Sequence, residues 1–117
     1  MKILLTILLI ITSCLGSAPA RETTYTTGIY EGIGQGLRGN IHLRLQMSSA
    51  GIVDIEITEH REAAYPGLAA MEELLEMVLE TGSTDLDAIS GATFSSRGFL
   101  EAVEDALGKA AVAKHMQ

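Results

Sequence analysis

The chain has 117 residues, which leaves room for one core and excludes a large multidomain enzyme. Apolar residues make up 47% and charged residues 20%, with two prolines, so the composition is that of a globular protein and not of a disordered one. Fifteen acids against eight bases give a net charge of −7 with no basic run to offset it, a field that repels phosphate backbones and argues against a nucleic-acid partner. A single cysteine excludes a disulfide framework and a multi-thiolate zinc or iron–sulfur site within one chain. Five aromatics and no tryptophan mean that any redox chemistry must come from a bound cofactor.

Residues 1–20 read as an address. Lys2 precedes an apolar run from Ile3 to Ile11 interrupted only by Thr6, too short for the roughly 20 residues that span a bilayer and suited to a signal-peptide core. Ile11-Thr12-Ser13-Cys14 resembles a bacterial lipobox, while Ala18-Pro19-Ala20 fits a small-x-small cleavage site. The lipobox is favoured because the only cysteine, Cys14, directly follows the apolar run, where its thiol can carry a diacylglycerol and so a stable lipid anchor. Both routes place the chain outside the cytoplasm, as a membrane-anchored lipoprotein or, by the second, as a soluble periplasmic or secreted protein. Residues 17–24 are small and polar and read as a tether, with the single domain assigned to 21–117 and its folded part beginning near Tyr25.

Along the domain, Tyr30 to Gly36 can form a strand whose glycines 32, 34 and 36 share one bare face, open to a packed helix or to a flat ring. Ile41, Leu43, Leu45 and Met47 alternate with polar residues, as do Val53, Ile55 and Ile57, which is the period of half-buried strands, and Ser48 to Gly51 joins the two as a hairpin turn. From Pro66-Gly67 the period becomes helical through Leu68, Met71, Leu75, Val78 and Leu79, ending at Gly82. A second helix is predicted from about Ser96 to Lys109 or beyond, with Phe99, Ala102, Val103, Ala106, Leu107 and Ala110 as its apolar stripe. Strands first and helices afterwards predict an α+β domain, with two main helices packed against an antiparallel sheet.

Gly34-Gln35-Gly36-Leu37-Arg38-Gly39 matches the G-x-G-x-x-G dinucleotide fingerprint, with Asp54 at a plausible spacing. The fingerprint requires a helix directly after the turn, and residues 40–47 alternate as a strand, so it is rejected. His42, His60 and His115 are scattered without a nearby carboxylate array and predict no metal site, and no catalytic triad or general acid or base is assigned.

The informative segment runs from Asp87 through Ser90, Gly91, Ala92 and Thr93 to Ser96. Small residues at 90–92 let the backbone bend tightly, and Thr93 places a hydroxyl just ahead of the second helix, where amide groups and partial positive charge receive a phosphate well. Ser95 and Ser96 can cap or donate to it, and Arg97 in the first turn can add a charge-assisted bond. The alternative is an ordinary loop and helix cap.

The Asp87-x-x-Ser90-Gly91-Ala92-Thr93 pattern resembles the flavinylation motif of the FMN-binding domain family, found in the C and G subunits of sodium-pumping NADH:quinone reductase and of Rnf complexes and in modules fused to exported reductases. The glycine strand 28–36 and the Gly-x-Ile strand 51–57 are similar to the family's opening strands, so the resemblance covers most of 27–108. It implies that Thr93 carries FMN through a phosphoester, installed by a magnesium-dependent flavin transferase with FAD as donor, with Gly32, Gly34, Gly36 and Phe94 as candidate borders of the ring. Family members often carry Glu-Thr-Pro-Gly after the third strand; here Glu62-Ala63-Ala64-Tyr65-Pro66-Gly67 lacks the threonine, so no flavin contact is assigned to Glu62 or Tyr65. Ser95 stands where a threonine is common and keeps the hydroxyl. The implied function is an exported, membrane-tethered flavoprotein passing electrons between redox partner proteins. The alternatives are a flavin-carrying subunit of an exported reductase and a lipoprotein that binds a ligand noncovalently with no redox role.

Overall fold

A computed structural model describes residues 25–115. Three strands, β1 (Gly28–Gln35), β2 (Asn40–Ser48) and β3 (Gly51–Glu59), form an antiparallel meander in the order β1-β2-β3. A single wide turn over Ala64–Leu68 leads into helix α1 (Ala69–Thr81), and a loop over residues 82–92 leads to helix α2 (Thr93–His115). This is the α+β arrangement that the pattern of strands followed by helices implies. Among the described residues no helix is long and apolar enough to cross a membrane. The proposed signal segment and Cys14 lie outside the described residues.

The central strand carries the core. Ile41, Leu43, Leu45 and Met47 all point to the helix-covered face and are essentially inaccessible, as period-2 alternation requires of a strand with one buried side. They pack against Met71, Leu74 and Val78 of α1 and Phe99 and Val103 of α2. Ser49 and Ala50 close the β2–β3 hairpin, with the Ala50 amide donating to the Ser48 hydroxyl at 3.2 Å. In β3 the alternation breaks: Gln46 pairs with Asp54 but Met47 pairs with Ile52, so Val53 is the extra residue of a bulge and turns outward, 52% exposed. The expected inward Val53 is therefore replaced by Ile52, which is half-buried against the core.

The bare glycine face of β1 is filled by a helix. A Cβ on Gly32 would fall on the Ala102 carbonyl oxygen, and one on Gly34 on the Gly98 carbonyl oxygen. From the helix side, a Cβ on Gly98 would lie 2.6 Å from the Gln35 carbonyl oxygen and 2.8 Å from the Gly36 Cα. The two backbones touch directly, which corrects the expectation of glycines 32 and 34 as borders of a flavin ring. Along the outer edge of β1, side chains of α2 four residues apart take up the strand's unpaired backbone groups. Glu101 accepts from the Gln35 amide at 3.2 Å, Asp105 accepts from the Ile33 amide at 3.0 Å, and Lys109 donates to the Glu31 carbonyl at 2.7 Å. An edge covered in this way is closed to strand addition.

Helix α1 ends where expected, at Gly82 in the left-handed conformation (φ 71°), whose amide donates to the Val78 carbonyl at 2.7 Å. Its buried positions are Ala70, Met71, Leu74 and Val78, with Leu75 and Leu79 half-buried beside them. Helix α2 starts at Thr93, one turn ahead of the expected Ser96, because the Ser96 amide already donates to the Ala92 carbonyl at 2.9 Å.

Candidate functional site

The head of α2 is built by a short, self-locked loop. The Ala92 amide donates to the Ile89 carbonyl at 3.0 Å, and Gly91 between them adopts φ +86°, a conformation that favours glycine. Ser96 has no exposed surface; its hydroxyl accepts from the Ile89 amide at 3.0 Å and donates to the Ala92 carbonyl at 2.7 Å. This pair of bonds staples the loop to the first turn of the helix and leaves Thr93, its first residue, exposed.

The opposite wall is organised by one carboxylate. Glu62, just past β3, is 6% exposed and accepts from the amides of Leu37 and Arg38, both at 2.9 Å, and from the Ser95 hydroxyl at 2.5 Å. Burial on its own would raise the pKa of this group, because it disfavours the charged form. The bonds from Ser95, Arg38 and Leu37, aided by the nearby His60, outweigh it and hold the carboxyl below the ordinary glutamate range. The turn that offers the two amides is closed by the Gly36 amide donating to the Gly39 carbonyl at 2.8 Å. Glu62 thereby joins three segments remote in sequence: the β1–β2 turn, the stretch before α1 and the head of α2. Gly67 lets them close together, since a Cβ there would lie 3.0 Å from both the Glu62 Cβ and the Ser95 Oγ.

Between these walls lies a cleft of about 220 Å³, lined by Leu37 and Arg38, by Glu62, Ala63 and Tyr65 to Gly67, and by Gly91 to Ser95. The structure thus brings Gly91, Ala92, Thr93 and Ser95 of the sequence motif to one place. Ser90, Asp87 and Arg97 are exposed and do not line it. The hydroxyls of Ser95 and Ser96, expected to face a ligand, are spent on Glu62 and on the loop. The cation in the cleft is Arg38 in place of Arg97. Sequence reasoning named Glu62 and Tyr65 without assigning them a role and missed Arg38; the local signal for it was the Gly36 to Gly39 turn, whose successive amides form an anion nest.

The chemistry of the cleft suits the phosphate end of a nucleotide. No acid stands in the first turn of α2, and helix geometry leaves the amides of Thr93, Phe94 and Ser95 without intrahelical acceptors. The volume falls below the roughly 300–1,000 Å³ of a site that engulfs a drug-sized ligand, so the cleft is too small to enclose a whole flavin. Among the described residues no group of three histidine, cysteine or acidic side chains is placed to hold a metal ion.

A family model described as an FMN-binding domain matches residues 36–108, more than half of the chain. The chain belongs to the FMN-binding domain family. Among relatives, it is 29% identical over 83 residues to an NADH:acrylate oxidoreductase of Vibrio harveyi, covering 71% of this chain and 8% of that one. It is 27% identical over 100 residues to a urocanate reductase of Eggerthella lenta, covering 79% and 16%. With an uncharacterized protein of Treponema pallidum it shares 31% identity over 80 residues, covering 68% and 22%. This FMN-binding domain therefore spans less than a quarter of the length of each of these relatives. The family match supports FMN as its cofactor and a flavoprotein character, in keeping with the reductase names of two of these relatives.

Proposed function

We propose that the chain carries FMN covalently on Thr93 and passes electrons between redox partners outside the cytoplasm, tethered to a membrane through Cys14. The observation that carries this reading is the fate of three neighbouring hydroxyls. Ser95 is bonded to Glu62 and Ser96 is buried in the loop, while Thr93 alone of the three is exposed in the cleft at the positive end of α2. In the attachment step the Thr93 oxygen bonds to the FMN phosphorus of FAD, the pyrophosphate linkage breaks, and AMP leaves. The hydroxyl proton goes to a base of the flavin transferase, because Glu62, the carboxylate lining the cleft, already accepts three hydrogen bonds. Arg38 and the helix amides hold the phosphoryl charge, and the loop staple through Ser96 fixes the acceptor. Once bound, FMN takes up and releases one or two electrons at a time.

The address supports a covalent link. Outside the cytoplasm free FMN is scarce, and even a nanomolar site, about −12 kcal/mol, loses its cofactor by dilution. The apolar run from Ile3 to Ile11, followed closely by Cys14, supports export and anchoring. Intact mass of the exported chain, co-expressed with a flavin transferase, tests the assignment: the wild type gains one FMN, and Thr93→Ala gains none. Flavin that survives denaturation of Thr93→Ala overturns it.

A second reading is favoured by the relatives: similar stretches occupy 8% and 16% of proteins named as oxidoreductase and reductase. The chain would then feed electrons to a reductase on another polypeptide. Reduced, flavin-loaded protein that is reoxidised only when such a reductase and its substrate are added would support that role.

A further inference from the structure

The chain has five aromatic residues, and their distribution is uneven. Phe99 is fully buried and Tyr25 and Tyr30 are half-buried against the core. The remaining two, Tyr65 at 82% exposure and Phe94 at 62%, both line the Thr93 cleft, from separate walls. Phe94 directly follows the acceptor threonine, and Tyr65 sits on the wide turn that precedes α1. Neither side chain serves the core, and large apolar faces kept in water at one spot mark a surface awaiting a partner.

We propose that Tyr65 and Phe94 are the seats of the isoalloxazine ring of the FMN carried on Thr93, with Tyr65 stacked closely enough to quench its fluorescence. The inference rests on the attachment reading above. Three observations select this occupant. The tether point, Thr93, lines the same cleft as both rings, so the ring's effective concentration there is high. The cleft is too small to swallow the cofactor, so the ring needs an external platform. Flat aromatic faces attract a flat heterocycle by offset stacking. Gly32 and Gly34, the other candidate surface for a ring, are covered by α2.

Tyrosine and phenylalanine differ in a way that makes the contact measurable. A phenol in van der Waals contact gives an electron to photoexcited flavin and receives it back, with no net chemistry, whereas a benzene ring does not. Full chains loaded by a flavin transferase are compared at equal flavin content, set by absorbance and intact mass. Tyr65→Phe keeps the platform and removes the quencher: the fluorescence lifetime lengthens severalfold with little change in anisotropy. Tyr65→Ala removes both: the lifetime lengthens, and the ratio of docked to free ring falls roughly two- to tenfold, which lowers the anisotropy. Phe94→Leu lowers the anisotropy without lengthening the lifetime of the ring that stays docked. Flavin-loaded Tyr65→Ala with wild-type lifetime and anisotropy overturns the inference while the attachment at Thr93 stands. A wild-type chain without flavin by mass, despite active transferase, overturns both.

Discussion

Replacing Glu62 by glutamine changes no volume and removes one charge, so the outcome isolates what the carboxylate does. Its two oxygens serve three donors, the Leu37 and Arg38 amides and the Ser95 hydroxyl. A carboxamide oxygen can keep one amide, and the Ser95 hydroxyl can reverse to accept from the new NH₂, but the other amide then faces a donor. Hydrogen bonds to charged groups contribute about 1.5–3 kcal/mol each. Because Leu37 and Arg38 are exposed and water can replace part of the loss, the lower end applies, giving about 2 kcal/mol for Glu62→Gln. At 4–8 °C per kcal/mol for a domain of this size, Tm drops by roughly 8–16 °C at pH 7. The folded carboxyl titrates below its unfolded value of about 4.3, so its contribution is complete above that pH and disappears as pH falls through the folded value. Thermal unfolding followed by circular dichroism at pH 7 and again near pH 3 checks the sign, since protonated Glu62 is nearly isosteric with glutamine. A Tm gap of equal size at both pH values, or none at pH 7, refutes the reasoning.

Glycine substitutions in α2 should split in sign. Gly98→Ala drives a methyl into the Gln35 carbonyl and should cost about 3 kcal/mol or more in denaturant unfolding, whereas Gly108→Ala, with open space around it, should gain about 0.5–1 kcal/mol. Ser96→Ala strips the Ile89 amide of its acceptor and should cost about 1–3 kcal/mol, and at equal transferase it should slow flavin incorporation measured by in-gel fluorescence, because the loop holding Thr93 loosens. Asp105→Ala exposes the Ile33 amide on the β1 edge; stability should change by under about 1 kcal/mol, while light scattering should report more self-association at high concentration.

The features legible in the sequence are those written locally. The β2 alternation, the Ser48 to Gly51 hairpin and the Gly82 stop each depend on a few adjacent residues, and each appears where the pattern puts it. Val53 does not, because a bulge is a property of the pairing between Gln46, Met47 and the facing strand, and one strand read alone cannot show it. The glycines of β1 announce a close approach without naming the visitor, since Gly98 and Ala102 arrive from more than sixty positions along the chain. The same limit applies to the site. Thr93 stands out through its neighbours, and family resemblance supplies FMN, but the link from Glu62 to Ser95 spans 33 positions and the one to Arg38 spans 24. The sequence pattern therefore points to a cation in the helix, at Arg97, whereas the cleft has its cation in a turn, at Arg38.

The seating of α2 on β1 has a mechanical consequence. With carbonyls resting where side chains would normally cushion two elements, there is no compressible layer for the helix to rock upon. Thr93 is the foot of a mast welded to its deck. Whatever hangs from that hydroxyl has a swing radius set by its own single bonds, and any protein that meets the cargo must come within that arc.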